Sequence, residues 1–262
     1  MYTEVNSKKI FFSNGNGTLL QNQPSVVFIH GAAMDHTVWT LPVRYFARHK
    51  YNVYAFDLPG HGRSDGTALT SVESISDWIK SAMDTLEIPT AAIVGHSMGS
   101  LVGICFAARH PELVRCLVLL GTSTPMPVTD QLLSAAEANE HDGIDMTNIW
   151  SLSDIALTGG NSDPGRCMTM SGQRLLERSG DDVLFTDLNA CNAFGDAESY
   201  LPEVRQPTLI ISGRQDKMTS PLKAQAVAEQ IRDSRLVELD PCGHSMMMEQ
   251  PNAVLDALAT IV

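Results

Sequence analysis

The chain has 262 residues, of which 44% are hydrophobic and 18% are charged. This composition predicts a soluble globular protein with one large domain, or one domain that carries an insertion. Acidic residues outnumber Lys and Arg by 30 to 18, which gives a formal net charge of −12. Because no basic block offsets this acidity, the composition argues against binding to nucleic acid and to anionic membranes.

The five cysteines give no sign of a disulfide framework. Their number is odd and none forms a CxxC pair; they are Cys105, Cys116, Cys167, Cys191 and Cys242. The first residues lack the apolar run of a signal peptide, and no stretch approaches the length that spans a bilayer. We therefore expect a cytoplasmic protein.

In chain order, the elements begin with an expected hairpin over residues 8–20, where Asn-Gly pairs indicate a turn between antiparallel edge strands. Short apolar runs then predict strands at 25–30, 51–57, 91–95, 113–121, 207–213 and 234–240. Most lack strict alternation, which is typical of parallel strands buried on both faces. Amphipathic stretches predict helices at 38–49, 71–88, 221–231 and 252–262. This order predicts an α/β fold with a mostly parallel, doubly wound sheet.

The alternation of strand and helix fails between residues 124 and 200. This region shows no clear strand pattern and has weak helix signals at 130–140, 167–180 and 182–194. We therefore predict a helical insertion, the cap, at 124–200. The core then consists of residues 1–123 and 201–262.

A serine between two glycines marks the junction after the third apolar run. Residues 95–99 read Gly-His-Ser-Met-Gly, and a strand before with a helix after is the context that a G-x-S-x-G nucleophile turn requires. So sharp a turn leaves little room for side chains two residues either side of Ser97, which explains Gly95 and Gly99. The turn also leaves the Met98 N–H at a helix N-terminus, where it can stabilise negative charge. We therefore predict that Ser97 is a nucleophile and that Met98 supplies an oxyanion donor.

A serine hydroxyl is a weak nucleophile and needs a base. Among the eight histidines, His244 follows the last predicted strand and precedes a helix, at the sheet edge where ligands bind in α/β folds. His61 fits better as a residue that holds its Gly-rich loop, and His30 as a support for the loop that follows it. His96 neighbours the serine but points elsewhere on the turn. The remaining histidines fit ordinary surface positions; they are His36, His49, His110 and His141.

The base in turn needs a carboxylate that orients it. Asp216 comes just after the predicted strand at 207–213, whereas the loop after 113–121 offers no acid. The resulting chain order, Ser97, Asp216, His244, is that of one fold family.

Five motifs in the same order make the chain resemble an α/β-hydrolase with a helical cap. They are HGAAMDHTVW at 30–39, DLPGHGRSDG at 57–66, GHSMG at 95–99, GRQDKMTSP at 213–221 and CGHSMMMEQP at 242–251. They are similar to that family's oxyanion loop, Gly-rich loop, nucleophile turn, acid loop and base loop. The resemblance implies the α/β-hydrolase fold, and the predicted insertion falls where the family has its cap. It leaves the reaction open, because this fold hosts many.

The resemblance also implies a second oxyanion donor, the backbone N–H of Ala32, with Ala33 as the alternative. It implies that Ser97 attacks an acyl carbon while His244 takes its proton, and that Asp216 fixes the ring of the histidine. Water activated by the same histidine then releases the acyl group. This chemistry needs no metal or cofactor, and no cluster of His, Cys and carboxylates has the spacing of a zinc site.

The serine favours a carboxylesterase or lactonase that acts on a small molecule. Relatives with aspartate at this turn, the epoxide hydrolases and haloalkane dehalogenases, are disfavoured. C–C bond hydrolases of ring-cleavage pathways keep the serine, but they commonly have a tryptophan where this chain has Ser245. Such a C–C hydrolase or lyase, and a binding protein with slow turnover, remain the alternatives. The oligomeric state is open.

The substrate pocket is the least constrained part of the sequence. Its candidate lining residues are Ala33, Met168, Met170, Cys191, Phe194 and Met246. Methionine adapts to many ligand shapes, but the same residue types also fill ordinary cores. Among the charged cap residues Arg166, Arg174 and Arg178, one could pair with a substrate carboxylate.

Overall fold

An eight-stranded sheet lies at the centre of the computed structural model, which describes residues 1–16, 18–160, 165–195 and 197–262. Its strands are β1 (Tyr2–Val5), β2 (Lys8–Ser13), β3 (Ser25–Ile29), β4 (Asn52–Phe56), β5 (Ala91–His96), β6 (Val114–Leu120), β7 (Thr208–Gly213) and β8 (Ser234–Leu239). Their spatial order is β1-β2-β4-β3-β5-β6-β7-β8. Strands β3 to β8 are parallel, whereas β1 and β2 are antiparallel. The predicted α/β class is confirmed.

Helices cover both faces of this sheet. They are α1 (Thr40–Arg48), α2 (Val72–Thr85), α3 (Met98–Arg109), α4 (Asp130–Glu137), α5 (His141–Trp150), α6 (Asp154–Leu157), α7 (Met168–Leu176), α8 (Val183–Ala193), α9 (Ala197–Tyr200), α10 (Pro221–Gln230), α11 (Met246–Glu249) and α12 (Pro251–Leu258). Helices α1 and α12 pack on one face, and α2, α3 and α10 on the other. Every residue of β3, β5 and β7 is therefore buried, which explains why their sequences do not alternate. Among the described residues, no helix combines the length and apolar character of a membrane span.

Helices α4 to α9 form an insertion between β6 and β7, in the region predicted as a cap. We call residues 124–200 the cap segment. Side chains from α4, α7 and α8 share an apolar cluster with Ala32 and Ala33, which follow β3. The cap segment thus packs on the loop at the carboxyl end of a central strand, where ligands bind in α/β folds.

The N-terminal hairpin forms earlier in the chain than predicted. Strands β1 and β2 pair around Asn6 and Ser7, whose φ angles are 50° and 61°. Two successive left-handed residues make the tight turn whose twist matches that of the paired strands. The Asn14-Gly15 pair follows β2 instead, and Gly17 of the expected turn lies outside the described residues.

Candidate active site

Ser97 lies at a strained turn between β5 and α3. Its backbone has φ 54° and ψ −118°, a conformation that costs a residue with a side chain on the order of 1–3 kcal/mol. A Cβ atom on Gly95 would lie 2.0 Å from the carbonyl oxygen of Gly99, and one on Gly99 would lie 2.3 Å from that of Ile29. Both positions therefore require glycine, for the steric reason that the sequence indicated.

His244 and Asp216 form a buried pair at the same edge of the sheet. His244 follows β8 and Asp216 follows β7, and His244 Nδ1 lies 2.8 Å from Asp216 Oδ2. Their side chains are 2% and 0% exposed. The other ring nitrogen, Nε2, is buried and has no hydrogen-bond partner in the described part of the chain. A histidine that donates from Nδ1 to a carboxylate keeps Nε2 as its basic nitrogen.

The Asp216 carboxylate is held by donors from the segment that follows it. The backbone N–H groups of Met218 and Thr219 donate to Oδ1 at 2.8 and 2.7 Å, and the Thr219 hydroxyl donates to Oδ2 at 2.7 Å. Burial by itself raises the pKa of Asp216, but the charge and hydrogen bond of His244 and the Thr219 donors outweigh it and hold that pKa below its usual value. Asp216 is thus an anion that can stabilise a positive charge on His244.

Two further residues restrict the position of His244. Gly121, which follows β6, has φ 58°, and a Cβ atom there would lie 2.8 Å from His244 Cε1. His96 Nε2 lies 3.0 Å from the His244 carbonyl oxygen. Burial lowers the pKa of His96 to about 3, so its neutral ring donates this hydrogen bond. The backbone of His244 is therefore held by His96, and its ring lies directly against Gly121.

The two amides predicted to bind an oxyanion are not engaged elsewhere. Among the described residues, neither the Ala32 N–H nor the Met98 N–H donates a hydrogen bond. Ala32 lines the same cavity as Ser97, and Met98 opens α3, where the first N–H groups have no partner within the helix. The Ala33 N–H instead donates to the Asp187 carboxylate at 2.8 Å. Of the two amides considered after β3, Ala32 is the one that is free.

A cavity of about 110 Å³ has Ser97 and His244 in its wall. The rest of its lining is largely apolar and includes Met34, Met126, Val128, Leu132, Trp150, Leu188, Cys191 and Met218. A larger cleft of about 610 Å³ adjoins it, and the two share Met34, Thr147 and Ser151. Because neither Ser97 nor His244 lines the larger cleft, the smaller cavity is the candidate reaction site.

Cys191 lines this cavity as predicted, whereas the two candidate methionines of α7 lie elsewhere. Met168 is buried in a separate cluster with Leu152 and Ala156, and Met170 is 46% exposed. The reason is the placement of α7, which packs on α5. Spacing within one helix does not reveal which neighbour the helix will contact.

Phe194, Met246 and Ala33 also lie outside the cavity wall. Phe194 is buried in the core with its ring stacked on Tyr200 at 5.8 Å, and Met246 is fully buried in the layer that contains α1 and α12. Ala33 packs against the cap helices. Each of these apolar side chains is buried in the hydrophobic layer nearest to it, which removes it from the cavity wall.

The three cap arginines line the larger cleft and not the cavity of Ser97. Arg174 forms an ion pair with Glu177, and Arg178 with Asp35. These two charges are therefore compensated within the chain.

Asp35, His36 and Asp57 bring three possible metal-ligand atoms within 4.8 Å of one another. The backbone N–H and ring Nδ1 of His36 both lie 2.7 Å from Asp57 Oδ1, and the Arg63 N–H donates to Asp57 Oδ2 at 2.9 Å. Asp35 Oδ1 accepts from the Thr37 N–H at 2.8 Å. These bonds brace the loops after β3 and β4 and account for the cluster.

Sequence reasoning did not identify three residues that support this site, namely Gly121, Thr219 and Asp187. Thr219 had a usable signal, because a hydroxyl residue three positions after an aspartate often shares its hydrogen bonds. The only sequence signal for Gly121 was its position directly after a predicted strand. No sequence signal pointed to Asp187, because it lies inside a helix and its hydrogen-bond partners are more than 100 residues away in the chain.

Comparisons with known proteins agree with this fold. Residues 26–257 match the model of the alpha/beta hydrolase family. A pimeloyl-[acyl-carrier protein] methyl ester esterase of Aromatoleum aromaticum is 30% identical over 254 residues, which cover 88% of this chain and 94% of that protein. The 3-oxoadipate enol-lactonase 1 of Acinetobacter baylyi is 23% identical over 249 residues, covering 92% and 90%. The structure of an enol-lactonase from Burkholderia xenovorans LB400 superposes with a TM-score of 0.87 at 22% identity, covering 100% of this chain and 99% of that one.

The chain belongs to the alpha/beta hydrolase family, because the family model matches most of its length. The predicted class of enzyme, a hydrolase of the esterase or lactonase type, is confirmed by the family and by these relatives. The likeness to the solved enol-lactonase supports the fold alone at this level of identity.

Proposed function

We propose that this protein hydrolyses small carboxylic esters or lactones through an acyl-enzyme formed on Ser97. The observation that carries the proposal is the buried pair of His244 and Asp216. His244 lines the same cavity as Ser97, and its ring Nε2 has no partner among the described residues. A serine beside a base that is oriented by an anion is the arrangement that activates a hydroxyl group.

In this mechanism Ser97 Oγ attacks the acyl carbon while His244 takes its proton at Nε2. The Ala32 and Met98 amides donate hydrogen bonds to the oxyanion, and Asp216 stabilises the charged imidazole ring. The bond to the leaving oxygen breaks as His244 returns the proton to it. In the second half His244 activates a water molecule, which releases the acid and restores the serine.

The two adjoining spaces suggest where each part of the substrate lies. Ser97 and His244 both line the smaller cavity, so the reacting bond lies there. His244 protonates the leaving group, and the segment that follows it lines the adjoining cleft with Ser245, Met247 and Met248, which favours the leaving group on the cleft side. We therefore assign the leaving group to the 610 Å³ cleft and the acyl chain to the 110 Å³ cavity. A small apolar cavity favours a short apolar acyl group.

The names of two relatives support the same type of bond. One is named for a methyl ester and the other for an enol-lactone, and both compounds have an acyl carbon that a serine can attack. Esters and lactones therefore both belong in the substrate panel.

The nucleophile is tested with a fluorophosphonate probe, which reacts with an activated serine. We expect the protein to be labelled and S97A to lose the label, whereas S81A, on the surface of α2, keeps it. By analogy with the serine proteases, D216N should lower kcat by about 10⁴-fold while the fold is retained. Ester turnover by a protein that the probe never labels would contradict the proposal.

The substrate assignment is tested with two series of esters. In one the acyl chain grows from acetate to octanoate at a fixed alcohol, and in the other the alcohol grows at a fixed acetyl group. We expect kcat/KM to fall steeply along the first series and to change little along the second. The reverse pattern would exchange the two assignments, and turnover of a vinylogous diketo acid in preference to every ester would favour a C–C hydrolase.

A further inference from the structure

Asp187 is a buried carboxylate that the proposed mechanism does not use. It lies on cap helix α8 with a side chain that is 1% exposed. Its Oδ2 lies 2.8 Å from the backbone N of Ala33 and 2.8 Å from His61 Nε2, and both of these residues belong to the core. One oxygen atom of the cap thus joins the loop after β3 to the loop after β4.

The bond to Ala33 supports a strained part of the oxyanion loop. Ala33 has φ 54°, a left-handed conformation that costs a residue with a Cβ atom roughly 1–2 kcal/mol. The preceding residue, Ala32, supplies the free amide in the wall of the cavity. Because one peptide unit joins these two residues, an acceptor that fixes the Ala33 N–H also restricts the orientation of the Ala32 backbone.

The bond to His61 fixes Asp187 itself. His61 is buried, and its two ring nitrogens lie 3.0 Å from the Pro59 carbonyl oxygen and 2.8 Å from Asp187 Oδ2. A buried carboxylate is stable when a hydrogen-bonded cation compensates it. Asp187 Oδ1 has no hydrogen-bond partner among the described residues, so the carboxylate depends on the interactions of Oδ2.

We propose that Asp187 is a positioning residue for the oxyanion hole, which holds the Ala32 amide in place for the reaction at Ser97 through its bond to the Ala33 N–H. Docking of α8 on the core then completes the active site in addition to covering it. The bond also occupies the Ala33 amide, which leaves that of Ala32 as the oxyanion donor. This inference rests on the proposed function of Ser97.

The direct test replaces the carboxylate with an apolar side chain of similar size, in D187L. We expect kcat to fall by about 10²-fold, the effect of losing one oxyanion donor, while KM changes less than twofold. Affinity for an aryl boronic acid, whose oxygen occupies the oxyanion site, should fall in parallel with kcat. If Asp187 only stabilised the fold, D187L would lower the melting temperature but would not lower kcat selectively over KM.

The matched control is N139A, which removes a contact to the start of the same helix. Asn139 Oδ1 accepts the Asp182 N–H, just before α8, at 2.9 Å, so this variant loses hydrogen bonding within the cap segment but none to the oxyanion loop. We expect N139A to keep the kcat and boronic acid affinity of the wild type. An equal loss of kcat in N139A and D187L would overturn the proposal.

D187N provides a second measurement if D187L does not fold. An asparagine oxygen at the position of Oδ2 is a weaker, uncharged acceptor for the Ala33 N–H, and the charge of His61 no longer fixes it, so it orients the Ala33 peptide less firmly. We expect kcat and boronic acid affinity to fall together by about fivefold, and unchanged values for both would refute the inference. Fluorophosphonate labelling separates the two proposals: an unlabelled wild type rejects the function of Ser97, whereas a labelled wild type with D187L labelled equally fast rejects only the role of Asp187.

Discussion

At the scale of single residues, the position of the His244 ring depends on the absence of a side chain at residue 121. A Cβ atom on Gly121 would lie 2.8 Å from His244 Cε1 and 2.9 Å from its Nδ1. Both distances are shorter than a van der Waals contact. We therefore expect G121A to displace the ring and to lower kcat by about 10- to 100-fold, since a small misplacement of a reacting group has a large kinetic cost. Steady-state kinetics of G121A and the wild type, on any ester that the wild type hydrolyses, will measure this loss of kcat.

The control for this prediction is G159A. Gly159 has φ 81°, also left-handed, but a Cβ atom there would meet nothing within 4 Å. Both variants pay the cost of an alanine in a left-handed conformation, roughly 1–2 kcal/mol, and only G121A approaches the histidine. If the two variants keep the same kcat, contact with the ring does not determine activity.

These residues also show what the sequence reveals about the site and what it does not. Ser97, Asp216 and His244 were predicted because each follows a strand, and parallel strands end at one edge of the sheet. The roles of Gly121 and Asp187 arise from contacts between segments that are distant in the chain. No local pattern encodes such contacts, so these residues became visible only in the folded structure.

At the scale of elements, α2 has a strong start signal that can be tested separately from the chemistry. The Ser71 hydroxyl accepts the Ser74 N–H at 3.1 Å, and the Ser74 hydroxyl accepts the Ser71 N–H at 3.2 Å, which forms a capping box. Loss of such an N-cap in S71A should reduce the free energy of unfolding by about 1 kcal/mol. We expect kcat to be unchanged, because α2 packs on α3 and β1 and none of the residues that line the cavity of Ser97 belongs to α2.

Urea unfolding of S71A and S81A will check this prediction. The Ser81 hydroxyl donates to the Asp77 carbonyl oxygen on the exposed side of the same helix, so S81A should stay within about 0.5 kcal/mol of the wild type. Equal stability of the two variants would mean that the capping box contributes nothing measurable.

The elements differ in how well their sequences predict them. The parallel strands match their apolar runs because both faces of the sheet are covered. Helix α5 was not predicted, and Gly143 within it weakens the helical pattern. In the fold that glycine allows close packing, because a Cβ atom on it would lie 3.2 Å from the Ala136 backbone in α4. The residue that obscured the helix is thus one that permits its packing.

At the scale of the whole molecule, the cap segment is bonded to two of the loops that carry the site. Asp187 bonds to the loop after β3, and the Ser245 N–H, next to His244, donates to the Ser151 carbonyl oxygen at 2.9 Å. Glu249 accepts N–H groups from Gly243 and from Ser153, which joins the loop after β8 to the cap segment a second time. The cap segment and these two loops are therefore expected to unfold together.

This coupling predicts how stability depends on pH. Burial lowers the pKa of His61, but the charge and hydrogen bond of Asp187, the Pro59 carbonyl oxygen and the charge of Asp57 outweigh it and leave the pKa above 6.5, its ordinary value. His30 opposes the charge of His61 only in its own protonated form, and burial lowers the pKa of His30 to about 4. In its protonated form, His61 is therefore the cation that pairs with Asp187 of the cap segment.

A group whose pKa is raised on folding stabilises the folded state fully below its unfolded pKa and loses that effect as pH rises through the folded value. We therefore expect the wild type to exceed H61Q in unfolding free energy by about 3 kcal/mol below pH 6.5, the cost of leaving a buried charge unpaired. This difference should shrink steadily as the pH rises further. Urea unfolding of both proteins at a series of pH values measures it, and a difference that stays constant or grows with pH would show that His61 is not charged in the folded state.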